Sequence, residues 1–214
     1  LFKKHRLFDN QLMITGHPRF ELLKQQYHFL YESFTEKIKN KYDDFILVNT
    51  NMSFGNHING DQFVIDNYGN RFKNIKSIIE VDKKKLNGFV NMLLELAENF
   101  KKSIILRPHP EEDDSYYQNK FKNTKNIHVI YEGTVIPWII ASNLVIHPDC
   151  TTAIEAIMLD KNPISFIPKE ISKSQLTKLP IDLSICFNDC SEMINYINSS
   201  KYKQNKMATE KRNI

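Results

Sequence analysis

Six short runs of apolar residues recur along the chain: FILVNT at 45–50, SIILRPHP at 103–110, IHVIY at 127–131, NLVIHPD at 143–149, ISFIP at 164–168 and ICFND at 185–189. Within each run the apolar residues are mostly consecutive. A strand with one wet face alternates apolar and polar side chains, whereas a strand covered by helices on both faces has no wet side to serve. The stretches between the runs have a different period. Leu86, Phe89, Val90, Leu93, Leu94, Leu96 and Ala97 follow a helical spacing, which predicts a helix over 76–99. Strands separated by helical spacers predict one α/β layer structure with a parallel sheet and right-handed crossovers.

The remaining elements follow in the same way. Leu22, Leu23, Tyr27, Leu30, Tyr31, Phe34 and Ile38 predict an amphipathic helix over 21–39, after a turn at GHPRF (16–20). Residues 51–74 are polar and hold Gly55, Gly60 and Gly69, so they read as a long loop at the end of the first strand. Short helices are expected over 113–121, over 136–142 with Pro137 near its start, and over 151–160, where Asn162 and Pro163 stop the chain from continuing as helix. Ser191 is the expected cap of the last helix, with Met193, Ile194 and Ile197 on one face. The chain thus divides into an interdomain segment leading in (1–24), one domain (25–200) and a basic polar tail (201–214) that frays.

Composition excludes several classes. At 214 residues and 41% apolar, a chain buries roughly 70% of its unfolded surface and needs neither disulfides nor a metal to fold. Cys150, Cys186 and Cys190 form no framework and no CxxC occurs, which argues against a zinc ribbon or dithiol centre and places the chain in a reducing, cytoplasmic compartment. No apolar run reaches the ~18 residues of a spanning helix. The chain begins LFKK, without an initiator Met, and reads as a piece of a longer protein. Its net charge of +4 comes from scattered Lys and Arg. They lack the interleaved aromatics of a single-stranded nucleic-acid platform, so no nucleic-acid partner is expected. A mild positive field suits anionic substrates, or peripheral association with an anionic membrane surface; it equally describes a solvated lysine-rich surface.

Ligands of open α/β sheets bind beyond the carboxyl ends of the strands. Three polar clusters fall there: Asn49, Thr50 and Asn51; Arg107, His109 and Glu111; and His147, Asp149, Thr151 and Thr152. In HPDCTTAIEA (147–156) a buried strand runs into a helix whose first-turn amides lack partners, and two threonine hydroxyls stand beside them. That pattern fits an anion site for a diphosphate or a sugar phosphate; it also fits a plain structural cap by Thr151. Glu155 lies one turn further in, where its carboxylate would repel phosphate unless it meets another part of the ligand or faces elsewhere. Arg107 offers a planar fork for phosphate and His109 a donor, against the alternative of an exposed strand end. His147 and Asp149, two residues apart, suggest a histidine–carboxylate pair with a raised histidine pKa. Weaker readings are a metal held by His109, His147 and Asp149, a hydrolase built on Ser53 or Ser165, and a nucleophilic Cys150. Trp138 in GTVIPW (133–138) either walls a base pocket or packs in the core. Both GxGxxG and GxxxxGK[ST] are absent.

ITGHPRFELL (14–23), FILVNTNMSFGN (45–56), ILRPHPEE (105–112) and the long stretch 127–168 together resemble a family of surface carbohydrate (polysaccharide) biosynthesis proteins, and through it the C-terminal half of GT-B-fold glycosyltransferases. The likeness spans about 14–170. More distantly the chain is similar to the nucleotide-binding domains of capsule Kdo-transferases, CDP-glycerol glycerophosphotransferases and UDP-GlcNAc 2-epimerase. The resemblance implies a Rossmann-like three-layer domain that holds a nucleotide-sugar donor of UDP or CMP type, with no further cofactor and no metal required. It places Arg107, His109, Thr151 and Thr152 along the donor phosphates, with Arg107 and His109 in the catalytic role. It puts Glu155 near the ribose, and Gly133 and Trp138 beside the base. His147, Asp149 and Asn51 complete the expected substrate-binding set. A saccharide acceptor and the catalytic base would belong to an N-terminal domain missing from this chain. Where the epimerase pattern has a glycine-rich loop, this chain has DCTTAIEA (149–156), a departure that bears on epimerisation more than on donor binding.

Overall fold

The computed structural model describes residues 16–199; the tail at 201–214 and the first part of the leading segment lie outside the described residues. Six strands form one sheet: β1 (Phe45–Asn49), β2 (Ser103–Arg107), β3 (Ile127–Val129), β4 (Leu144–His147), β5 (Ile164–Phe166) and β6 (Ile185–Phe187). Their order is β3-β2-β1-β4-β5-β6 and every pairing is parallel. In register, Leu47 on β1 faces Ile105 on β2 and Val145 on β4. The helices are α1 (Pro18–Glu21), α2 (Glu32–Tyr42), α3 (Gly60–Tyr68), α4 (Ile75–Asn99), α5 (Asp114–Phe121), α6 (Val135–Ala141), α7 (Thr152–Met158), α8 (Lys178–Asp182) and α9 (Cys190–Asn198).

The consecutive apolar runs become strands buried on both sides. Ile46, Val48, Ile104, Leu106, Leu144 and Ile146 face one way, onto Phe89, Leu93 and Leu96 of α4, Phe121 of α5 and Met193 of α9. Phe45, Leu47, Ile105 and Val145 face the other, onto Ile38 of α2, Ile139 of α6 and Ala156 of α7. This alternation within an unbroken apolar run is what a three-layer α/β structure requires. Leu23, 1% exposed, belongs to the second layer and ties the chain ahead of α2 to it. Among the described residues no helix is long and apolar enough to cross a membrane.

Three expectations need correction, and one helix was not anticipated. The helix read over 21–39 is broken: α1 ends at Glu21, a 3-10 stretch runs Gln25–Tyr31, and α2 starts at Glu32. Its apolar spacing mixed two surfaces, because Ile38 is buried while Leu30 and Phe34 are 50% and 62% exposed. The loop read over 51–74 contains α3, whose Val64 packs on Ile75 and Ile79 in a separate small cluster; its glycines and polar residues masked one apolar face. The short α8 was not anticipated; its Pro180 lies in the first turn, where a missing N–H costs nothing. The cap of α9 is Asp189, which accepts from the Glu192 N–H at 3.2 Å, not Ser191.

Gly88 of α4 passes directly under the loop that follows β5. A Cβ there would fall 2.4 Å from Cγ and 2.7 Å from Cβ of Pro168. Glycine to alanine within a helix gains about 1 kcal/mol of propensity, while overpacking against a fixed ring costs about 1–3 kcal/mol. Gly88→Ala is therefore expected to destabilise the chain by about 1 kcal/mol, read as a lower urea midpoint at unchanged slope.

Candidate functional site

Between β1 and β4 the winding of the sheet reverses, so the chain leaves the two strand ends in opposite directions and opens a crevice between them. A cavity of about 360 Å³ lies there. Its walls come from the end of β1 (Asn49, Thr50), the end of β2 (Arg107, Pro108, His109, Pro110), the loop after β3 (Tyr131, Gly133, Thr134, Val135), the turn into α7 (Cys150, Thr151, Thr152) and Arg19 of α1. Arg107, His109, Gly133, Thr151 and Thr152, singled out from sequence, thus border one hollow. Asn51, His147, Asp149, Glu155 and Trp138 are not among its lining residues.

Thr151 stands at the N-cap of α7 without making a side-chain capping bond, so the plain structural-cap reading of its hydroxyl is not what the chain does. The Thr152 hydroxyl accepts from Asn49 Nδ2 at 3.3 Å, which ties the end of β1 to the helix start. The Cys150 thiol is buried, and burial pushes its pKa up, the reverse of an activated nucleophile.

His109 Nδ1 accepts from the Glu111 N–H at 3.3 Å. In the neutral ring the proton therefore sits on Nε2. Burial pushes the His109 pKa down, with Glu111 opposing, so the ring is a neutral donor at physiological pH.

Arg107 departs from the expected phosphate fork. Its Nη1 donates to the Glu132 carbonyl at 2.8 Å and its Nη2 to the Gly133 carbonyl at 2.9 Å. Its guanidinium carbon lies 5.1 Å from the ring centroid of Trp138 and 5.9 Å from that of Tyr131. Desolvation lowers its pKa to about 10, so it stays cationic at pH 7. The fork clamps the loop after β3, where Gly133 adopts φ +61°, a conformation that favours glycine. Trp138 is 5% exposed and donates Nε1–H to the Glu132 carbonyl at 3.1 Å. It lines a second, mainly apolar cavity of about 490 Å³ between α2 and α6, which shares Gly133 and Thr134 with the first.

The histidine–carboxylate pair read from His147 and Asp149 does not form. His147 Nδ1 accepts from the Cys150 N–H at 3.2 Å and its Nε2 meets the Ser184 hydroxyl at 2.9 Å. Burial pushes its pKa down to about 4, with Asp149 opposing. It holds the turn as a neutral ring, and it is not placed with His109 as a metal ligand; among the described residues no group of three or more His, Cys, Asp or Glu could hold a metal. Asp149 instead accepts from Lys85 at 3.1 Å, Asn51 at 3.1 Å and the Thr177 N–H at 2.8 Å. Burial alone would raise its pKa, but Lys85 and these donors hold it below the usual carboxylate range. Lys85 also meets Asp82 at 3.1 Å, and Asp82 accepts from the Phe54 N–H at 3.2 Å. This buried network fastens α4 to the loops on either side of the crevice.

Glu112 is the second hub, and sequence reasoning missed it. Only 4% exposed, it accepts from the Thr50 hydroxyl at 2.9 Å, the Met52 N–H at 2.8 Å and the Tyr117 hydroxyl. Thr50 Oγ1 in turn accepts from the His109 N–H at 3.3 Å. Arg19 was also missed. Its Nε and Nη2 both reach Glu155 Oε1, at 2.5 Å, across 136 positions of sequence. Arg19 lies in GHPRF and Glu112 ends ILRPHPEE, but the role of each is set by partners from other elements.

In fold, the chain is similar to UDP-GlcNAc 2-epimerase from Methanocaldococcus jannaschii in complex with UDP-GlcNAc and UDP (TM-score 0.56, 16% identity, 94% of this chain and 52% of that one). It is likewise similar to UDP-GlcNAc 2-epimerase from Neisseria meningitidis bound to UDP-GlcNAc (0.52, 13%, 96% and 52%). A third likeness is to the wall teichoic acid polymerase TagF in a CDPG soak (0.54, 11%, 94% and 45%). The chain therefore spans about half the length of these proteins, and at such identities the likeness is one of fold. No protein-family model and no curated protein matches the sequence.

Burial pushes the Glu112 carboxyl up from 4.5 to about 7, against its hydrogen-bond donors. A folded value above the unfolded one means that the stability this group contributes is full below about 4.5 and is lost as pH rises through about 7. His147 runs the opposite way, its share being lost as pH falls from 6.5 through about 4. Comparing wild type with Glu112→Gln isolates the first effect. Urea unfolding from pH 5 to 8 is expected to show a wild-type decline that the variant lacks, on the order of 3 kcal/mol at most.

Proposed function

We propose that this chain is the donor-binding domain of a glycosyltransferase-like enzyme of surface polysaccharide biosynthesis. It holds a nucleotide-activated sugar of UDP or CMP type and stabilises the phosphate that departs when the glycosidic bond breaks. The observation that carries this reading is the gathering of His109, Thr151, Thr152 and a cationic wall around one cavity at the switch point of the sheet. Threonine hydroxyls and a neutral imidazole N–H are suited to an anion, and the elements that carry them are packed in place before it arrives. A diphosphate would lie against Thr151, Thr152 and His109. Gly133 with Thr134 and Val135 would stand beside the base, whereas Glu155, buried and outside the lining, is not placed to meet the ribose. Arg107 would contribute through charge and through its hold on the loop after β3 rather than by a direct fork.

In the step itself, charge grows on the leaving phosphate and meets donors already aimed at it. The acceptor hydroxyl loses its proton to a base expected from an N-terminal domain of a two-domain enzyme, in the cytoplasm at the inner face of the membrane. A second reading is a sugar-nucleotide epimerase, favoured by the fold likeness to two such enzymes. Product analysis with the full-length protein, with and without a saccharide acceptor, separates them.

Calorimetric titration against UDP, CMP, CDP and GDP tests the binding half of the proposal. At least one pyrimidine nucleotide is expected to bind. His109→Ala should weaken it about tenfold or more, the loss of one hydrogen bond to a charged group. Binding of none of the four, or a variant indistinguishable from wild type, would contradict the assignment.

A further inference from the structure

We infer that Arg19 is the phosphate-facing arginine of the cavity and that the buried Glu155 is its anchor. The inference rests on the nucleotide-binding reading and adds a ligand contact from a segment ahead of the domain's first strand.

Two arginines line the cavity. Arg107 is buried, and both its terminal nitrogens are committed to the carbonyls of residues 132 and 133. Arg19 is half exposed, and two of its nitrogens converge on a single carboxylate oxygen. A guanidinium has five N–H donors in a fixed plane. With Nε and one hydrogen of Nη2 turned to Glu155, the Nη1 edge keeps a planar pair of donors for an oxyanion.

The backbone that carries Arg19 is fixed. Pro18 opens α1, His17 Nδ1 accepts from the Arg19 N–H at 3.2 Å, and Leu23 is buried just beyond the helix. Glu155 is 1% exposed, and its Oε2 has no hydrogen-bond partner among the described residues. A buried carboxylate held on one oxygen only is costly as pure structure. It makes sense where the anion has a task, here to orient the arginine while the arginine cancels its repulsion toward an incoming phosphate. That resolves how an acidic residue can stand one turn inside a helix whose start faces a diphosphate.

The test is titration of the full chain with UDP and CDP, uridine and cytidine as phosphate-free controls, and inorganic pyrophosphate as competitor. Arg19→Ala should weaken the diphosphate about tenfold or more and pyrophosphate competition in parallel, leaving the nucleoside unaffected. Arg19→Lys, which keeps the charge and loses the planar fork, should fall between. Because Arg19→Ala strands a buried carboxylate, Arg19→Ala with Glu155→Gln serves where the single variant does not fold, and should show the same selective loss for pyrophosphate. Diphosphate and pyrophosphate affinity within about threefold of wild type, or an equal loss for nucleoside and diphosphate, would overturn the role of Arg19. A wild-type chain that binds neither diphosphate would instead overturn the nucleotide-binding reading, and the inference with it.

Discussion

The reversal of winding between β1 and β4 is the constraint from which the rest of the site follows. Neighbouring strands elsewhere in the sheet are crossed by helices that close over their ends, but at the reversal the chain departs both ways and leaves the ends uncovered. Loops that rim such an opening gain little from the apolar core. Here they are tethered by buried polar hubs instead. Glu112 gathers Thr50, Met52 and Tyr117, and through Thr50 the His109 amide. Lys85, between Asp82 and Asp149, binds the long helix to the turn after β4 and, through Asn51, to the loop after β1. Each hub is satisfied by partners from several elements, so the rim is stiff without being apolar.

That stiffness divides the labour among similar residues. Of two arginines at the cavity, the buried one shapes the wall and the half-exposed one keeps donors to spare. The two histidines after β2 and β4 divide in the same way. His147 is a sealed neutral ring inside the turn, while His109 borders the hollow with its Nδ1 fixed as acceptor. Burial and prior hydrogen bonding, rather than residue type, decide which group remains available to a ligand.

Much of this was legible in the sequence. Consecutive apolar runs marked all six strands, because burial on both faces removes alternation, and some members of the clusters after the first, second and fourth runs line one crevice, while Asn51, Glu111, His147 and Asp149 do not. What escaped detection depended on contacts between distant residues. Arg19 and Glu155 are 136 positions apart, and Glu112, at the end of ILRPHPEE, takes its role from partners in the loop after β1 and in α5. Asp149 was noticed but paired with the wrong neighbour: spacing two apart suggested His147, whereas Lys85 from α4 offered a full charge that a neutral buried ring does not. The first helix failed for a related reason, since Leu30 and Phe34 continue the apolar period on a surface that lines a groove instead of the core.

The central claim is that loops from separate strands act as one receptor for a single anion-bearing ligand. Amide chemical shifts recorded during a UDP titration test it most directly. The account predicts that the amides of His109, Gly133, Thr151 and Thr152 move together along one binding curve while those of α2, the outer wall of the α2–α6 groove, stay still. Shifts confined to that groove, or loops that respond with different affinities, would contradict it.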